Sequence, residues 1–157
     1  MQLRADPLRQ TLLSGVAAGA AGGVLLNLYL VLTISVFKHW TDPATLMKFV
    51  ASGIMGSKAA YSSHSSALIG TLIFYAIALV WGLAYAYVAS TEPPLASRPL
   101  VSGIAFGLIV FVVMQVVELT VKIWTWSPFI AANSIVGHVL AFGIPVAYIV
   151  ARWPYRS

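Results

Sequence analysis

Residues 11–37 read TLLSGVAAGAAGGVLLNLYLVLTISVF. How this run is read decides the fold. Basic residues precede it, at Arg4 and Arg9, and small residues follow early, as in a cleaved secretory leader. A leader's apolar core is about 7–15 residues long. This run carries no formal charge over its whole length and continues to Phe37. It is therefore a retained membrane span, and the remaining apolar runs are to be read on the same scale.

Crossing a bilayer takes about 20 helical residues. Three further segments meet that length, at about residues 65–89, 100–124 and 128–152. The composition agrees: of 157 residues, 60% are hydrophobic and 8% charged, whereas soluble domains are about 25% charged. The fold class is an all-α integral membrane protein, a four-helix transmembrane bundle forming one domain over residues 1–157. "TEPPLASRP" and "WTWSP" make the last two connections short, so successive spans are antiparallel. The net charge of +5 belongs to span ends meeting lipid headgroups, so no nucleic-acid partner is expected. With no cysteine, disulfides and thiolate metal sites are excluded.

The connection from Lys38 to His64 is longer. Thr41 or Asp42 can cap a helix with Pro43 in its first turn, and Gly56 can end it. Leu46, Met47, Phe49, Val50 and Ile54 recur at helical spacing. This predicts a short helix at about 43–55, lying at the interface or offering a surface to a partner.

Arg4, Arg9, Arg98, Arg152 and Arg156 fall on one side of a four-span chain, and Lys38, Lys48, Lys58 and Lys122 on the other. The bias places both termini in the cytoplasm. Trp40, Trp124 and Trp126 mark one membrane interface, and Trp153 and Tyr155 the other.

Inside lipid, helices associate by close packing and interhelical hydrogen bonds. Gly15, Gly19 and Gly23 form a GxxxGxxxG strip, and Gly103 with Gly107 a GxxxG pair. These strips serve packing within the bundle, or one of them faces another subunit. The polar groups at depth are few. Gln115, Glu118 and Lys122 are neighbours on one helix, with Glu118 and Lys122 spaced for an i,i+4 ion pair. His138 lies at a similar depth on the fourth span, and His64 stands at the mouth of the second. Ser134, His138, Ala141, Pro145 and Tyr148 are expected to share one face. A structural role is expected for His138, as a hydrogen-bonded tie between helices or to a carbonyl freed by Pro145. His64 and His138 could instead hold a b-type haem between facing helices. Glu118 with His138 could form a proton or ion path, or with both histidines a metal site, though no metal ligand set is assigned. No hydrolase or metalloprotease motif is present, so no catalytic residue is expected.

Several landmarks occur together: "SGVAAGAAGG", "DPA", a histidine ahead of "GTLIFYAIALVWGLAYAY", then "SGIAFGLIVFVVM" and "GHVLAFGIP". The chain in this respect resembles the YagU-like small four-span proteins of the bacterial inner membrane, whose biochemical function is unassigned. That resemblance implies a multi-pass inner-membrane location and draws attention to His64, Gly70, Trp81, Gly82 and His138. The function expected from the sequence is a non-catalytic accessory or structural subunit. Its partners would be the lipid bilayer and other membrane subunits of a respiratory or photosynthetic complex, with no cofactor. A bis-histidine haem carrier and an ion conductor are the alternatives.

Overall fold

The computed structural model describes residues 7–123 and 127–153; Arg4, Trp124, Trp126, Tyr155 and Arg156 lie outside them. Every regular element among the described residues is helical. Four helices among them are long and apolar enough to cross a membrane: Pro7–Phe37, Ser66–Thr91, Pro99–Thr120 and Pro128–Ala151. The chain is a multi-pass, all-α membrane protein.

The first span is α1 (Pro7–Leu30) with a π-helical continuation, Val31–Phe37. Next come α2 (Pro43–Met55) and the short α3 (Ser57–Ser62). The second span is α4 (Ser66–Thr91); a turn of helix, α5 (Pro93–Ser97), leads to the third, α6 (Pro99–Thr120). The fourth consists of α7 (Pro128–Val136), a π segment at Gly137–Gly143 and α8 (Ile144–Ala151).

Local chemistry explains the boundaries. Asp42 caps α2, accepting from the Thr45 N–H at 3.0 Å and from its hydroxyl at 2.6 Å, with Pro43 following. These bonds to the ionised form hold the Asp42 carboxyl below the usual aspartate range. Gly56 ends α2 at φ +76°, a conformation that suits a residue without Cβ. Ser127 caps α7 through the Ile130 N–H at 3.1 Å, with Pro128 in the first turn. Pro145 lacks an N–H to continue an α-helical ladder, and the π segment immediately precedes its helix. There the N–H of Ile144 reaches back to the Val139 carbonyl, so the wider turn absorbs the break.

Glycine sets the helix order. A Cβ on Gly82 of α4 would sit 2.5 Å from the Gly15 carbonyl oxygen and from the Gly19 nitrogen of α1. Gly103 and Gly107 of α6 meet the backbone of Ile144, His138 and Val139 in the fourth span in the same way. Both strips are therefore used within the chain. The alternative in which Gly15, Gly19 and Gly23 face another subunit does not hold, because α4 lies on them.

Around the bundle, α4 packs on α1, α1 on the fourth span, and the fourth span on α6. Few close backbone approaches join α4 to α6. They meet through side chains at their Arg-bearing end. Tyr85 and Ser102 share a 2.8 Å hydrogen bond, and Phe106 packs against Tyr85 and Trp81 at centroid distances of 4.8 and 6.0 Å. Toward the Lys-bearing end the two helices leave a cleft. The loop helix α2 lies across it. The Met47 carbonyl lies so close to Gly70 of α4 that a Cβ there would collide with it, and Gly53 meets Val121 and Ile123 beyond α6. Met47, Ala51 and Ser52 are buried. The helix expected at the interface is thus also a roof packed on its own chain.

Candidate functional site: a roofed cleft between the second and third spans

Under α2 lies a cavity of about 520 Å³, within the range of small-molecule sites. Its roof is Leu46, Phe49 and Val50 of α2 with Trp40 and Tyr61. Phe74, Ile77 and Trp81 of α4 form one wall and Val110, Met114 and Glu118 of α6 another. The back is the fourth span, with Asn133, Ser134, His138 and Phe142. Trp81 and Phe142 line an aromatic floor, and the Phe106 ring packs against both, at 6.0 and 6.1 Å. Beside the cavity, Lys38 sits 4.5 Å over the Phe129 ring, and the lining residue Trp40 meets the same ring edge-on at 5.0 Å.

The inward face of α6 explains Glu118. Gly103, Phe106, Gly107 and Val110 are buried at helical spacing, and Met114 and Glu118 continue that line while Val116, Val117 and Leu119 point to lipid. Gln115 donates to the Glu118 carboxylate at 3.4 Å. The structure departs from the expected Glu118–Lys122 pair. The helix ends at Thr120, and Lys122 turns out at φ +61° with its side chain exposed. The two residues no longer share a helix face.

His138 sits inside the π segment and lines the cavity. Its Nδ1 donates to the Ser134 carbonyl at 2.8 Å, and the Phe111 ring lies edge-on at 6.0 Å. Bonded so, a neutral imidazole keeps Nε2 as an acceptor. The expected tie across the bundle is not made by His138, whose hydrogen bonds run along its own helix. Nor is its carbonyl one that Pro145 frees: Ser134 lies a turn before the histidine.

The tie is made instead by Asn133, a residue the sequence reading passed over. Tyr29 of α1 donates its hydroxyl to Asn133 Oδ1 at 2.8 Å. Asn133 Nδ2 donates to Thr33 at 3.3 Å, and Thr33 donates to the Tyr29 carbonyl at 2.8 Å. An asparagine one turn from a span's start, opposite a tyrosine of similar depth, was the available signal.

His64 is not brought to this site. It is exposed ahead of α4 and does not line the cavity, so the haem reading loses its second ligand. No group of three or more His, Cys, Asp or Glu able to hold a metal occurs among the described residues, so His64, His138 and Glu118 do not form a metal site. Gln115, Glu118 and His138 do meet, around one cavity.

Fold and cavity together define a four-span membrane protein with an apolar cleft roofed by a loop helix and a few polar groups at one end. The chain belongs to a family of unknown function (DUF6789), whose profile matches residues 9–157. No curated protein and no solved structure matches it.

Proposed function

We propose that the protein is a non-catalytic membrane binding protein, holding a largely apolar small molecule with a polar group in the cleft beneath α2. The observation that carries this reading is the 520 Å³ cavity, apolar at its floor and lined by Gln115, Glu118, Asn133 and His138 toward its Lys-bearing end. Ligand sites of this kind are mostly apolar with a few placed polar groups. The gap between α4 and α6 offers a route from the bilayer. The YagU-like resemblance and the arginine bias favour a bacterial inner membrane with both termini in the cytoplasm.

Membership of a larger complex is compatible with this role, but it would rest on lipid-facing side chains, because the glycine strips are occupied within the chain. Conduction through Glu118 and His138 is less well supported, since Trp81, Phe106 and Phe142 close the way beyond them.

The test uses a decyl chain carrying a nitroxide. Trp124, Trp126 and Trp153 are changed to Phe, leaving Trp40 and Trp81 at the cavity. Quenching of these two should saturate and be reversed by unlabelled ligand, and should weaken in the plugged variant Ile77→Phe/Met114→Phe. Quenching that rises linearly with probe and is not reversed by competitor contradicts the proposal, whether or not the plugged variant folds.

A further inference from the structure

The cavity has a charge sign as well as a volume. Among the described residues that line it, the one formal charge is the Glu118 carboxylate, and none is a lysine or arginine. Lys38 lies outside the lining, over the rings of Phe129 and Trp40, and Lys122 turns out past the end of α6. Gln115, the side chain that bonds the carboxylate, contributes no charge. A carboxylate inside a membrane span is costly and calls for a partner.

The rest of the lining favours the same sign. Trp40, Phe49, Tyr61, Phe74, Trp81 and Phe142 surround the space, and the faces of aromatic rings attract cations. His138, with Nδ1 committed to the Ser134 carbonyl, offers an acceptor. Acceptors, one negative charge and aromatic walls are what an ammonium group on a hydrophobic frame requires. An anionic amphiphile would meet Glu118 with no lysine or arginine among the described lining residues to offset it.

We infer that the cleft selects hydrophobic organic cations, amines or ammonium ions on an apolar frame, with Glu118 as the counter-ion. The inference rests on the binding role proposed above and adds the class of ligand.

The experiment is competition against the nitroxide-labelled decyl chain in the chain reconstituted in lipid nanodiscs. The competitors are decyltrimethylammonium, its uncharged carbon isostere 2,2-dimethyldodecane, and decyl sulfate. The cation should displace the probe at a concentration at least about ten-fold lower than the isostere does, and decyl sulfate should be the weakest. In Glu118→Gln the preference for the cation over the isostere should collapse. Equal displacement by cation and isostere in the unaltered protein overturns the inference while leaving the binding role standing. So does a preference that survives in Glu118→Gln. If the probe itself shows no saturable binding, the binding role fails and this inference with it.

Discussion

At the scale of single residues, the polar groups of the bundle divide into those that join helices and those that line the cleft. Tyr29, Asn133 and Thr33 close a ring of hydrogen bonds between the first and fourth spans. Removing one partner leaves the others desolvated, and hydrogen bonds between membrane helices are worth about 0.6 kcal/mol on average and up to about 1.7. Asn133→Leu should therefore destabilise the protein by about 1 kcal/mol in detergent unfolding. Tyr29→Phe combined with it should cost little more than Asn133→Leu alone, since the two share one interaction. Fully additive losses would show that they act independently. The sequence made His138 and Glu118 conspicuous because an ionisable group in an apolar run stands out. Asn133 did not stand out, although it carries the interhelical bonds. Which partner a polar side chain finds depends on helix rotation, and no spacing rule in a single sequence supplies that.

At the scale of elements, the four spans were legible because length and hydropathy alone identify a membrane helix. The face presented by the fourth span was not. Ser134, His138, Ala141, Pro145 and Tyr148 follow an α-helical period, yet the buried residues are Asn133, Gly137, Phe142, Gly143, Val146, Ala147 and Val150. The π segment widens one turn and shifts everything after it around the axis. The close helix approaches at glycine predict graded tolerance. Gly82→Ala puts a methyl 2.5 Å from backbone atoms of α1, which cannot move independently, so it should cause a marked loss of folded protein on extraction. Gly53→Ala meets the Val121 side chain at 3.3 Å and should be tolerated. The reverse order would mean that α1 and α4 are not packed as described.

The roof helix α2 has its own test. Asp42 holds its first turn, and the lowered carboxyl range fixes the sign of the pH dependence. The cap's contribution is complete above the ordinary aspartate value and is lost only as acidification passes down through the lowered one. The chain lacks cysteine, so a thiol at Val50→Cys reports directly on opening of the roof. Its labelling should rise several-fold in Asp42→Ala at neutral pH, and in the uncapped variant it should not respond further to acid through this group. Unchanged labelling in Asp42→Ala would mean that the cap does not govern the docking of α2.

At the scale of the whole molecule, a small-residue bundle ought to close on itself, and on three of its sides this one does. The exception lies between α4 and α6. There Gly82 is already engaged with α1, Gly70 with α2, and Gly103 and Gly107 with the fourth span, and large side chains face the gap. Phe106 and Tyr85 hold the two helices at one end, and α2 bridges them at the other. Helix number follows from composition, but such a cleft follows from which glycine pairs with which, and that is a property of the folded chain. On the binding role proposed, the cleft is occupied in life. Native mass spectrometry of the protein released from the membranes in which it is made tests this most directly. The unaltered chain should carry one small molecule per protein, and Ile77→Phe/Met114→Phe should carry none. An unaltered chain that flies bare, or the same adducts on both proteins, would contradict the claim.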